Sequence, residues 1–231
     1  MSAPTALRER LAGIEGWLSD EESATLYDLA SRCTGRGVIV EIGSFKGRST
    51  VSLALGTREG ASLPIFAIDP HRGPSYEEFR ENIRRAGVED QVTQVRQASQ
   101  EALAAIGDHP IELLFIDGNH TYDMVLQDFA LFVPRVVEGG WVAMHDTISS
   151  FPGSKRVPEQ LMYRSHNFTG VRFVPSTMTV GRKVGANSAA DRLRNRASLA
   201  VKQTAELALP VRRRIPPPLQ RASRRLVGWL Q

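Results

Sequence analysis

Short apolar runs separated by amphipathic stretches set the plan of this chain. "GVIVEIG" (37–43), "PIFAIDP" (64–70), "IELLFID" (111–117) and "GGWVAMHD" (139–146) are nearly continuous in apolar character, which predicts strands buried on both faces. "QVTQVRQ" (91–97) alternates weakly and predicts a further strand. Between them lie stretches with helical spacing. Ser19 followed by Glu22 forms a capping box that opens a helix carrying Leu26, Leu29 and Cys33 near one face. "SFKGRSTVSLALG" starts a helix closed by Gly56, and "SYEEFRENIRRAG" (75–87) spaces Tyr76, Phe79 and Ile83 helically before a Gly87 C-cap. "SQEALAAIG" predicts a short helix capped by Ser99, "YDMVLQDFALFVPRV" an amphipathic one, and a further helix is expected around 156–165. "GVRFVP" and "TMTVGRK" then predict a hairpin. Alternation of strand and helix argues an α/β fold, a mostly parallel sheet with helices on both faces and an antiparallel pair at one edge.

The organisation predicted is N-terminal helices over 1–36, one α/β domain over 37–183, and a basic, partly helical extension over 184–231. Charge supports the last boundary. Residues 184–231 hold ten basic and two acidic side chains, a net of +8, so residues 1–183 carry −4 within a whole-chain charge of +4. The basic pI therefore belongs to the tail. Within it, "AADRLRNRASLAVKQTAELAL" has helical spacing, "PVRRRIPPPLQ" breaks it, and Trp229 and Leu230 beside Arg224 and Arg225 suit an anionic membrane surface or an acidic partner. Nucleic acid is disfavoured as a partner, because no aromatic platforms interleave with the basic residues. One cysteine, Cys33, excludes an internal disulfide. The absence of a signal pattern in "MSAPTALRERLAGIEGW" and of an apolar run near 20 residues leads to the expectation of a cytoplasmic protein, peripheral to the membrane through its tail. A homo-oligomer is left open.

The candidate chemistry begins at "VEIGSFKGRST" (40–50). Glycines at 43 and 47 allow a tight turn and close approach to a ligand, and the following helix offers unpaired N–H groups. A Walker A loop is excluded because Lys46 precedes Gly47, and G-x-x-x-G does not match the dinucleotide spacing. The stretch resembles motif I of class I S-adenosylmethionine-dependent methyltransferases, with Glu41 two residues before the first glycine. The resemblance covers residues 37–183 and implies a Rossmann-like, seven-stranded sheet. It further implies that Gly43, Ser44 and Gly47 pack against the methionine part of S-adenosylmethionine, with Glu41 and Ser49 also among the cofactor-binding residues. Asp69 would take the ribose hydroxyls, Ser99 and Gln100 would border adenine, and Asp117 would lie close to the donor.

"FIDGNHTY" (115–122) and "WVAMHDT" (141–147) end buried-looking runs on Asp117 and Asp146. Adjacent strand ends lie about 5 Å apart, where two carboxylates repel unless a proton or a cation intervenes. A divalent ion with oxygen ligands, Mg²⁺ first and Mn²⁺ second, resolves that conflict. Asp-x-x-His after the fourth strand and an acidic end to the fifth resemble the metal-dependent O-methyltransferases that modify macrolide sugars, and a related branch in cephalosporin biosynthesis. That resemblance implies Asp117 and Asp146 as metal ligands, His120 as the base and a carbohydrate or glycosylated natural product as acceptor. His145 departs from the pattern, which has Glu there; it is a candidate ligand, a candidate base, or a residue that contacts the acceptor. Two rival expectations stand beside this one: a metal-free small-molecule methyltransferase, and a binding protein of the same fold that attaches through its tail.

Overall fold

The computed structural model describes residues 5–148 and 151–207. Seven strands form one sheet: β1 Val38–Ile42, β2 Ile65–Ile68, β3 Val92–Val95, β4 Ile111–Ile116, β5 Val136–Met144, β6 Phe168–Val174 and β7 Met178–Lys183, in the order β3-β2-β1-β4-β5-β7-β6. The first five run parallel, while β7 pairs antiparallel with both β5 and β6. The sheet is the mostly parallel one with a terminal hairpin that the hydrophobic pattern implied, and its seven strands follow the Rossmann-like plan that the motif resemblance implied.

Strand parity explains how the sheet is covered. On β1, Val38, Val40 and Ile42 pack into one layer and Ile39 into the other, so alternate side chains feed two cores. One core lies under α1 (Thr5–Leu11), α2 (Asp20–Ser31), α3 (Arg48–Arg58) and α4 (Ser75–Ala86); the other lies under α5 (Ser99–Ile106), α6 (Tyr122–Phe132) and α7 (Pro152–Pro158). A 19-residue helix, α8 (Ala189–Leu207), packs on β6. Asn195, on α8, accepts from the Val171 N–H and donates to the Phe168 carbonyl. Lys202 is fully buried and donates to Glu159 at 2.6 Å. Residues 208–231, which hold the Pro-Pro-Pro stretch, Arg224, Arg225, Trp229 and Leu230, lie outside the described residues. No helix among the described residues is long and apolar enough to cross a membrane.

Several boundaries differ from those expected. Helix α3 does not stop at Gly56 but runs to Arg58. Gly56 is there for contact, since a Cβ on it would lie 2.2 Å from the Tyr27 carbonyl oxygen of α2. Strand β5 starts at Val136, three residues earlier than "GGWVAMHD" indicates, because Val136 continues the ladder with Ile111 across a bulge. Ala98, not Ser99, is the N-cap of α5, and the Ser99 hydroxyl turns inward to Asp128. The helix expected around 156–165 begins at Pro152 and ends in a wide turn over Glu159–Tyr163.

Candidate active site

The strand order reverses between β1 and β4, and in open α/β sheets the crevice at such a reversal is where ligands bind. Here β1 ends on Gly43 and β4 on Asp117, in direct contact. Gly43 has φ +89°, and a Cβ there would lie 2.2 Å from the Asp117 carbonyl oxygen. Only glycine fits both the backbone angle and the approach. The Asp117 N–H continues the ladder to the Ile42 carbonyl, and the His145 N–H to the Ile116 carbonyl, so three neighbouring strands deliver their ends to one rim.

A cavity of about 880 Å³ opens at that rim. Of the expected donor-binding residues, Gly43, Asp69, Ser99, Gln100 and Asp117 line it. Asp69 spends both oxygens on backbone: Oδ2 accepts from the Phe45 N–H at 2.8 Å and Oδ1 from the His71 N–H at 2.7 Å. These bonds fix the first glycine loop to the β2 end. Glu41, Ser44, Gly47 and Ser49 sit one layer behind the wall. Glu41 is wholly buried; burial pushes its carboxyl up to about 8, against hydrogen bonds from Ser49 and Thr50 that lower it. Thr50 Oγ1 donates to Glu41 Oε2 at 2.5 Å, while Glu41 Oε1 and Ser44 Oγ are buried without a protein partner. Gly47, at φ +88°, is the N-cap of α3 and lies against Phe79.

At the other end of the cavity Asp117, His120, His145 and Asp146 meet. One atom each from Asp117, His120 and Asp146 lies within 4.8 Å of the others. His120 Nε2 is 3.7 Å from Asp117 Oδ1 and 3.4 Å from Asp146 Oδ2, and it is buried with no hydrogen bond. The Asp117 carboxylate beside it raises the His120 pKa, opposed by partial burial and helped by the Asp146 charge. Burial, and the Asp117 charge after His145 is accounted for, raise the Asp146 carboxyl pKa. Asp146 also has φ +57°. Phe45, at φ 42°, lines the same cavity, so two of the four non-glycine residues with positive φ among the described residues lie on its wall. Such strain is held in place only where the surroundings over-determine it.

His145 faces inward. Its Nδ1 is 3.1 Å from Asp117 Oδ1 and its Nε2 is 3.5 Å from Glu22 Oε2, with the side chain almost fully buried. Burial disfavours its charge, but Asp117 and Glu22 outweigh that and raise its pKa. Both ring nitrogens thus address carboxylates, and the group with metal-ligand spacing is Asp117, His120 and Asp146. Two carboxylates and an imidazole, with an unpartnered buried nitrogen between the carboxylates, suit a borderline divalent cation.

Glu22 is the residue whose second role the sequence hid. Its carboxylate completes the capping box with Ser19 and also accepts from the Thr177 N–H and hydroxyl, both at 2.8 Å, while facing His145. Helix α2, the β6–β7 turn and the fifth strand end are tied at one buried carboxylate. Trp17 and Phe151 also line the cavity, Trp17 without having been a sequence candidate. His71 is buried against Tyr76 and Phe79, and Arg72 lines the cavity.

Residues 40–147 match a protein family described as a methyltransferase domain. An uncharacterized protein, R132, from Acanthamoeba polyphaga mimivirus is 34% identical over 113 residues, 46% of this chain and 50% of that protein; the match thus spans half the relative's length. Among solved structures, cofactor-bound Rv0187 from MTB superposes with a TM-score of 0.63 at 22% identity, covering 80% of this chain and 91% of that one. An O-methyltransferase from Bacillus cereus in complex with SAH gives 0.62 at 19% identity, covering 80% and 92%. At these identities the likeness is one of fold.

Proposed function

We propose that this chain, whose residues 40–147 match a family described as a methyltransferase domain, transfers a methyl group from S-adenosylmethionine to a hydroxyl of a sugar or glycosylated natural product, assisted by a divalent cation. The observation that carries the reading is that one cavity is lined both by Gly43, Asp69, Ser99 and Gln100 and by Asp117, His120 and Asp146. A donor held by the first set presents its methyl toward the second. Similarity in fold to an SAH-bound O-methyltransferase supports the donor class.

Asp117 and Asp146 would hold the cation, which would supply Lewis acidity that lowers the pKa of the acceptor hydroxyl. His120 Nε2, unpartnered on the cavity wall, takes the hydroxyl proton. The acceptor oxygen then bonds to the donor's methyl carbon as the carbon–sulfur bond breaks, leaving a thioether and an ether. His145 keeps its Nδ1 on Asp117 Oδ1 and so fixes the orientation of that carboxylate.

The test is SAH formation over a panel of glycosides, with and without chelator. Turnover that EDTA abolishes and Mn²⁺ or Mg²⁺ restores supports the reading. Turnover indifferent to EDTA removes the cation, and lack of SAH binding removes methyl transfer. His120→Gln separates base from ligand: retained Mn²⁺ affinity with lost turnover identifies the base.

A further inference from the structure

Four large apolar side chains are exposed among the described residues: Trp17, Phe151, Leu193 and Leu207. Two of them, Trp17 and Phe151, line the cavity just described. Trp17 is 75% exposed, and its ring lies 4.8 Å from that of Phe45, a loop residue held at φ 42° by its N–H bond to Asp69. Phe151 is 44% exposed and stacks on His120 at 4.5 Å with only 15° between the planes. Two aromatic pairs therefore stand at the mouth of one cavity, one from the β1 side and one from the β4–β5 side. The second includes the residue assigned as base.

Several polar groups at or near the mouth are already spent. The Thr177 N–H and hydroxyl are both given to Glu22. Asn119 Oδ1 accepts the Thr121 N–H at 2.8 Å. Lys46, beside Phe45, is paired with Glu15 and Glu78. A flat ring finds two stacking surfaces there, which a bare sugar would leave unused.

We infer that the acceptor carries a planar aromatic ring next to the hydroxyl-bearing sugar, and that Trp17–Phe45 and Phe151–His120 grip that ring at the cavity mouth. This inference rests on the methyl-transfer reading and narrows it from glycosides in general to aryl glycosides. It also gives Trp17 a function: the segment between α1 and α2 serves as one wall of the acceptor site.

The experiment compares 4-methylumbelliferyl glycosides with the matching methyl glycosides, titrated into the full chain saturated with SAH. Quenching of Trp17 fluorescence is read in a Trp141→Phe, Trp229→Phe background, with calorimetry on the wild type. The aryl compounds are expected to bind about tenfold tighter, the worth of roughly one aromatic pair. Trp17→Ala and Phe151→Ala should each erase most of that advantage while leaving SAH affinity and melting temperature near wild type, because both side chains are already exposed. Equal affinity for aryl and methyl glycosides, an advantage that survives both substitutions, or no binding by any aryl member overturns the inference. Intact SAH binding in those cases leaves the methyl-transfer reading standing; its loss in the wild type overturns that reading instead.

Discussion

Replacing Glu22 by Gln measures whether the buried carboxylate is a helix cap or a component of the site. If Glu22 only completed the Ser19 box, its removal would cost about 1 kcal/mol, the usual worth of a cap. Its surroundings demand more. The side chain is fully buried and accepts from the Ser19 N–H at 2.8 Å, the Ser19 hydroxyl at 2.9 Å, and the Thr177 N–H and hydroxyl at 2.8 Å. An amide in its place turns one NH₂ toward two donors whichever way it is flipped. It also leaves the His145 ring, 3.5 Å away, facing no charge on that side. Removing one partner of a buried ion pair costs about 3–5 kcal/mol. For a chain of this size that is a fall in melting temperature on the order of 10 °C, against about 2–4 °C for a lost cap. Urea unfolding followed by circular dichroism, in a cycle with His145→Gln, is the assay. The two single substitutions together should exceed the double by at least about 1 kcal/mol. A cost near 1 kcal/mol that adds fully with His145→Gln would refute the reasoning. The pH dependence has a definite sign. Burial works to raise the Glu22 carboxyl, but His145 and the hydrogen bonds outweigh it and hold the carboxyl below its ordinary 4.5. Its contribution is present above 4.5 and is lost as pH falls below it, and the share owed to the raised His145 charge is lost as pH climbs from 6.5 toward about 11, so the gap between wild type and Glu22→Gln should shrink at both ends.

Gly43→Ala should prevent folding or lower stability by several kcal/mol, since its Cβ would meet the Asp117 carbonyl at 2.2 Å at a φ of +89°; soluble yield and thermal melting report it. Asp69→Ala should weaken SAH binding about 10–100-fold by calorimetry, because the loop loses the acceptor of the Phe45 and His71 N–H groups as well as any ribose contact. Lys202→Met should destabilise the chain by about 3–5 kcal/mol by leaving Glu159 alone, and Lys202→Met with Glu159→Met should recover most of that in urea titrations.

The strand ends are legible in the sequence because continuous apolar runs and a parallel topology together place every strand's last residue on one rim. That is why Asp69, Asp117 and Asp146 group from their positions in the chain alone. The Ser19–Glu22 box is equally visible, being local. Its second role is not, because Thr177 lies 155 residues away and meets Glu22 only through the packing of α2 on the terminal hairpin. Glu112 is hidden in an apolar run for the same reason; its carboxylate accepts the N–H groups of Thr34, Gly35 and Arg36 and is nearly fully buried. The departure at His145 from the acidic residue of the resembled enzymes stands out in the sequence as an anomaly. The direction of its ring is a tertiary fact, decided by where Glu22 sits. Trp17 gives no signal either, since a lone tryptophan between two short helices carries no periodicity.

Diffraction from crystals grown with SAH and Mn²⁺, with anomalous data that reveal both the metal and the SAH sulfur, tests the central claim most directly. The expected result is a manganese peak roughly 2.1–2.3 Å from carboxylate oxygens of Asp117 and Asp146, with the sulfur facing the same space from the Gly43–Asp69 side. Manganese bound elsewhere, or SAH density that does not reach Asp69 and Ser99, would contradict it.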